Sequence, residues 1–391
     1  MRGKWFVARN FSSLLLLALI GCSQSEPRFR LNMEGPEKAN LDRRIQQAVV
    51  DATVALFGTP DEPYVIPESG LDLQKLQLAA GPTWSNREGT RHGLYRQHCA
   101  HCHGVTGDGA GPTALFLNPY PRDYRKGIFK FTSTGSTPTT ADLKRTLIDG
   151  IAGTAMPSFA LLPDDEVEAL VEYVKYLAIR GQTEAELFRV IDGLKPGDFE
   201  TNTNAKIPTP PRDELVTGLV DFVGMWKEAQ EKVVIPPARP TPVDTPEQLA
   251  ASIEAGRKLF QDQKRAQCTK CHGPTGLGDS GDVQYDDWNK DKKGTSPQLW
   301  LLPIQELKPR NLRLGIYRGG RRPLDLYRRI HAGIPGANMP ATNRPGAPAV
   351  LQPEEIWSLV DYLLSLPYET GSPKPTGHTT TGHTTAHLNM N

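Results

Sequence analysis

Two stretches of the chain repeat one hydrophobic pattern. Val167, Leu170, Val171, Val174 and Leu177 stand at i, i+3, i+4, i+7 and i+10, and Ile356, Leu359, Val360, Leu363 and Leu366 do the same. Each set is one apolar stripe at the helical period, so the spacing predicts amphipathic helices starting at Asp164 and Pro353. Tyr173 and Tyr362 correspond within them. A helix is also predicted ahead of each of two Cys-rich motifs, carrying Leu94 and Tyr95 in one case and Ile253, Leu259 and Phe260 in the other. Leu41 to Phe57 reads as a further helix, stopped by Gly58 and Pro60. Residues 182–233 read as helical too: Thr183 and Glu186 form a capping-box signature, and Leu215, Leu219, Phe222, Val223 and Trp226 an apolar face. The predicted class is all-α.

The helices belong to a larger repeat. CAHCHG (99–104), PRDYRKGIF (121–129), GIAGTAMP (150–157) and a helix are followed later by CTKCHG (268–273), PRNLRLGIY (309–317), GIPGANMP (333–340) and a helix. Four matched blocks in one order imply two tandem domains, expected at 81–181 and 248–370. Before the first lies an extension, 22–80. Between them lie a helical segment and a Pro-rich linker, 182–247, whose PPARPTPVDTPE stretch reads as extended and semi-rigid. The His-to-Pro-Arg loop is longer in the second unit, where the extra segment around Tyr285 to Leu302 holds Trp288 and Trp300. The tail, 371–391, is rich in Thr, Gly and His and is expected to be disordered.

Composition fits several small domains better than one large core: 391 residues, 34 Pro, 36 Gly and only 7% aromatics. Arg2, Lys4 and Arg9 precede a short apolar stretch, Leu14 to Ile20, which is a leader for export and too short to span a bilayer. It ends in LIGC. That resembles the lipobox of bacterial lipoproteins, which implies cleavage after residue 21, lipidation of Cys22 and a lipid anchor to a membrane outside the cytoplasm, in the periplasm. Loss of the three basic residues leaves a slightly acidic chain, which gives no support for nucleic-acid binding.

The other four cysteines form two CxxC pairs, Cys99/Cys102 and Cys268/Cys271, each followed at once by His103 or His272. CxxCH is the attachment signature of c-type haem: two thiols bond the porphyrin and the adjacent imidazole meets the iron. The motif also occurs in zinc sites and redox dithiols, and an exported CxxC can oxidise to a disulfide. The methionines decide between these. Each unit holds one Met, Met156 and Met339, in the same G-x-x-G-x-x-M-P frame. A thioether opposite an imidazole gives six-coordinate iron of raised potential. Zinc or a disulfide accounts for neither the His nor the Met frame.

On these motifs both units resemble class I, Met/His-ligated cytochromes c, which are small helical domains. The resemblance implies two covalent haem c groups: one on Cys99 and Cys102 with axial His103 and Met156, the other on Cys268 and Cys271 with axial His272 and Met339. It implies that the helix before CxxCH crosses the closing helix. Many relatives place a Gly eight residues before the first Cys, where Arg91 stands here; Gly256 is the candidate in unit two. Many also carry a Pro about nine residues after the His, whose carbonyl accepts the imidazole N–H; Pro112 fits, and Gly281 stands there in unit two. Arg122 and Arg310 are candidate partners for haem propionates. His92, His98 and His101 are expected at the surface, His331 as structural, and His378, His383 and His387 as tail residues.

The function expected is relay of single electrons in a respiratory chain, with redox protein partners: a quinol-oxidising complex or dehydrogenase on one side, a terminal oxidase or reductase on the other. The segments 41–57 and 213–232, outside both units, are the expected docking surfaces. The alternative is a dihaem enzyme such as a cytochrome c peroxidase, which needs an open or displaceable iron ligand.

Overall fold

The computed structural model describes residues 26–34, 41–192, 212–239, 242–280, 284–285, 301–344 and 346–369. The leader with Cys22, the indoles of Trp288 and Trp300, and the tail lie outside them. The chain is mostly helical. In order come α1 (Arg43–Phe57), α2 (Leu73–Ala79), α3 (Leu94–His98), α4 (Ala100–His103), α5 (Thr140–Asp149), α6 (Asp164–Asp192), α7 (Arg212–Glu228), α8 (Pro246–Gln261), α9 (Thr269–His272), α10 (Pro323–Ala332) and α11 (Pro353–Ser365). Two short antiparallel ladders interrupt them: β1 (Trp84–Ser85) with β2 (Arg91–His92), and β3 (Gln284–Tyr285) with β4 (Glu306–Leu307).

The repeat folds as two cores. One is built on α6, whose Val167, Leu170, Val171, Val174 and Leu177 are all buried. The other is built on α11 through Ile356, Leu359, Val360, Leu363 and Leu366. The starts of several helices follow from local chemistry. Thr139 and Asp142 close a capping box on α5, and Thr245 and Gln248 one on α8, with Pro246 in its first turn.

In unit two, α8 lies directly across α11. Gly256 makes this possible: a Cβ there would fall 2.6 Å from the carbonyl carbon of Ser358 and 2.8 Å from Cβ of Tyr362. In unit one the helix ahead of CxxCH is broken. α2 packs on α6, the β1–β2 hairpin intervenes, and only the five-residue α3 leads into the motif. Arg91 sits on the hairpin, where its Nε donates to Glu166 of α6 at 2.6 Å.

One expectation fails here. Thr183 starts no helix. α6 runs on past Gly181, and the Thr183 hydroxyl bonds back to the Ile179 carbonyl at 2.9 Å. Gly181 is needed within the helix because a side chain there would strike the backbone of Arg125. The apolar faces of α1 and α7 turn inward. Leu56 and Phe57 of α1, and Leu219 and Val223 of α7, are buried in the core around α6, with Trp226 packed edge-on to Phe129. An exposed apolar stripe costs stability, and the long α6 offers a face to cover it.

The linker and loops also join the units. The Val234 N–H donates to the Ser133 carbonyl of unit one, and the Val234 carbonyl accepts from Arg328 of α10. Gln305, at the end of the long loop of unit two, accepts from the Tyr120 N–H and donates to the Leu117 carbonyl. Arg145 of α5 pairs with the buried Asp325 of α10 at 2.8 Å.

Candidate haem sites

Each CxxCH turns through one short helix. The His103 N–H bonds to the Cys99 carbonyl at 2.9 Å and the His272 N–H to the Cys268 carbonyl at 3.0 Å, which sets both cysteines and the imidazole on one side of the turn. Gly104 and Gly273 then reverse the chain at φ +75° and +72°, where Asp108 and Asp279 leave no room for a Cβ. None of these four cysteines is in a disulfide. Burial raises Cys99 to about 12 and Cys268 to about 11.

His103 is buried, and its Nδ1–H donates to the Arg122 carbonyl at 3.0 Å. His272 donates in the same way to the Arg310 carbonyl at 3.2 Å. This fixes the tautomer and leaves each Nε2 lone pair available to a metal. Burial also pushes His103 down to about 4 and lowers His272, so both imidazoles stay neutral and ligand-competent. The orienting carbonyl is not that of Pro112. Gly111 and Thr113 on either side of it bond back to the Cys102 and His101 carbonyls, which pins that segment along α4. The Pro-Arg block supplies the acceptor in both units, so unit two needs nothing from position 281.

The Met loops are built alike. Gly150 and Gly153 have φ of +65° and +72°, Gly333 and Gly336 of +73° and +69°. The Ile151 N–H closes on the Met156 carbonyl at 3.1 Å, and the Ile334 N–H on the Met339 carbonyl at 3.0 Å. A Cβ on Gly150 would stand 2.8 Å from the Met156 carbonyl oxygen, and one on Gly333 2.7 Å from that of Met339. The spaced glycines therefore let each loop double back and bring its methionine to the cavity that His103 and His272 also line.

All eight candidate residues line one cavity. Its volume is about 910 Å³, and Cys99, Cys102, His103 and Met156 share it with Cys268, Cys271, His272 and Met339. The walls are mainly apolar, with Leu147, Val174 and Phe159 from unit one, and Leu326, Leu359 and Leu363 from unit two. Two thiols, a neutral imidazole and a thioether around each half of such a cavity fit a covalently held, axially ligated haem. Among the described residues, no group of three or more His, Cys, Asp or Glu side chains could hold a metal ion.

Comparison with known proteins accords with this chemistry. Residues 87–174 match the family model described as cytochrome c oxidase, cbb3-type, subunit III, and residues 253–367 match that of cytochrome c. The chain carries two cytochrome c domains in tandem. As a dihaem c-type cytochrome it holds two covalently bound haems and serves electron transfer. No curated protein matches it. Among solved structures, a chain of the reducing HAO-like protein complex of Kuenenia stuttgartiensis is similar, at 24% identity over 70% of this chain and 94% of that one, with a TM-score of 0.46.

Several features of this cytochrome escape the sequence. Tyr124 stacks on His103, ring centroids 4.5 Å apart at 15°, while Leu312 holds that place in the block of unit two. His98 is not a surface residue: it lines the cavity edge-on to Phe159, with a buried Nε2, and burial lowers its pKa. His92 stacks on Trp84, and His101 is exposed. His331 is structural, stacked on Tyr327. The tail histidines lie outside the described residues. The exact repetition of the Pro-Arg block at one place in each unit was the available signal for its carbonyl; nothing in the motif marks Tyr124 or His98.

Proposed function

We propose that this cytochrome is an electron relay rather than an enzyme, with both irons closed by protein ligands. The observation that carries this reading is that in each unit an imidazole held by a backbone carbonyl and a Met on a glycine-framed loop line the same cavity. The haems supply a one-electron Fe(III)/Fe(II) couple. Cys99 with Cys102, and Cys268 with Cys271, tether them. His103 with Met156, and His272 with Met339, would hold the two irons. The mainly apolar walls would lower the local dielectric around a bound haem and so favour its less charged reduced form.

In this reading the partners are redox proteins, a quinol-oxidising complex or dehydrogenase as donor and a terminal oxidase or reductase as acceptor. The leader and Cys22 support export to the periplasm with a lipid anchor. No helix of the described residues is long and apolar enough to cross a membrane, so attachment would rest on that lipid.

A potentiometric optical titration of the purified protein tests the reading. The expected result is two low-spin haems, each titrating as a one-electron couple, with negligible peroxide turnover. Met156→Ala should give one haem a high-spin fraction and a lower midpoint, leaving the other unchanged. If both haems stay low-spin with unshifted midpoints, the Met156 assignment is wrong. Rapid peroxide turnover by the native protein would move the assignment to the dihaem enzyme.

A further inference from the structure

The two units meet with a reciprocity that lies beyond their shared motifs. Arg122 belongs to unit one, yet its guanidinium lies at the Met loop of unit two: a Cβ on Gly336 would be 3.1 Å from one Nη and 3.5 Å from the other. Ile128 completes that contact, with Cγ2 at 3.0 Å. Arg310 belongs to unit two and does the converse. A Cβ on Gly153 of unit one would lie 3.0 Å from Cζ of Arg310 and 3.2 Å from Cγ2 of Ile316. Arg122 and Ile128 hold the same places in the first Pro-Arg block that Arg310 and Ile316 hold in the second, and Gly153 and Gly336 the same place in the two Met frames. The pairing is thus that of an approximate two-fold axis. Arg145 of α5, which pairs with Asp325 of α10, obeys it too: their equivalents Arg328 and Asp142 attract each other across the same junction.

The main chain of these arginines does something else. The Arg122 carbonyl holds His103 and the Arg310 carbonyl holds His272, each within its own unit. Both side chains line the common cavity. One residue therefore touches both sites, by its backbone on one side and its guanidinium on the other.

We propose that Arg122 and Arg310 are crossed positioning residues: each orients the histidine of its own unit and places its charge at the methionine side of the other. This rests on the haem-ligand reading above. A guanidinium is permanently charged and is held by planar, directional hydrogen bonds. Set beside the neighbouring site it favours the form of that site with one more electron. A charge in a partly dehydrated junction acts over several ångströms with little screening. Arg310 is anchored there by its Nε–H, which donates to the Ile316 carbonyl at 3.1 Å.

The test uses full-length holoprotein bearing Arg122→Gln, with Arg310→Gln as its mirror. Haem content is measured first, by pyridine haemochrome. Native protein with fewer than two haems would sink the haem-ligand reading itself. With two haems present, proton NMR of the reduced state reads the upfield methyl signal of each ligating Met, assigned by its loss in Met156→Ala or Met339→Ala. Arg122→Gln is expected to shift the Met339 methyl and lower the midpoint of haem two, with the Met156 methyl in place. Arg310→Gln should do the reverse, and Arg122→Lys, which keeps the charge, should restore most of the lost midpoint. A shift confined to the unit carrying the substitution, or spread equally over both, overturns the proposal. Should Arg122→Gln fail to fold, Arg122→Lys still decides: it keeps charge but loses the planar fork, so the Met339 methyl must move more than that of Met156.

Discussion

Unit one and unit two hold the same ligand frame on different scaffolds. In unit two one uninterrupted helix, α8, crosses α11 at Gly256, and the core is little more than those helices with α10. In unit one the corresponding helix is divided, and α1, α2 and α7 surround a 29-residue α6. The turn after the Pro-Arg block differs in the same sense. Asp123 caps it in unit one and pairs with Arg125, both side chains being 1% exposed. Asn311 caps it in unit two, where Arg313 pairs with the partly buried Glu369, the two side chains being 13% and 21% exposed. What is common is therefore the set of backbone devices that point groups at the cavity: the CxxCH turn, the Pro-Arg carbonyl and the glycine-framed Met loop. The packing behind them can be rebuilt provided those devices stay in place.

The sharpest break in that comparison is at the buried ion pair. Arg125→Ala leaves the Asp123 carboxylate enclosed without its countercharge, and loss of one partner of a buried pair costs about 3–5 kcal/mol. Arg313→Ala, at the matching place, removes a less deeply buried pair whose Glu369 keeps Arg257 as a second partner, and should cost less, about 1–2 kcal/mol. Thermal unfolding followed at the two Soret bands would show unit one melting early in the first variant and nearly native behaviour in the second. Equal losses would mean that the two turns carry similar loads.

Next comes the helix crossing. Gly256→Ala puts a methyl against the Ser358 backbone, which cannot move without shifting α11. Overpacking of this kind costs about 1–3 kcal/mol, and it falls on unit two alone. The expected sign is a lower denaturant midpoint for the Met339 haem with the Met156 haem unchanged.

How far the sequence disclosed these differences depended on whether the information was local. The helical stripes of α6 and α11 were legible because every fourth residue reports the same face. The ligand set was legible because two copies of one frame pointed to one chemistry. Thr183 misled because a Thr followed by Glu three residues on also fits mid-helix, where the hydroxyl bonds back to Ile179. Pro112 misled because the acceptor for His103 is nineteen residues away and comes from a backbone atom, which no side-chain motif encodes. The β1–β2 hairpin and the crossed arginines are products of packing between distant segments, and a single chain carries no local mark of them.

The smallest effect is the most discriminating about the hairpin. By spacing, Arg91 occupies the position where related domains place a crossing glycine, so Arg91→Gly looks like a repair. The structure argues the opposite. The crossing in unit one is made by α2 against α6, and Arg91 stands off it on β2, bound through Nε and Nη2 to Glu166. The Arg91 side chain is 36% exposed and that of Glu166 10%, so solvent screens the pair only in part and its loss should cost about 1 kcal/mol. A glycine in β2 would also loosen the hairpin slightly. The expected outcome is a small fall in the stability of unit one, with the Soret and Met-ligation spectra untouched. A rise in stability would show that α3, not α2, is the element whose approach to α6 the sequence restrains.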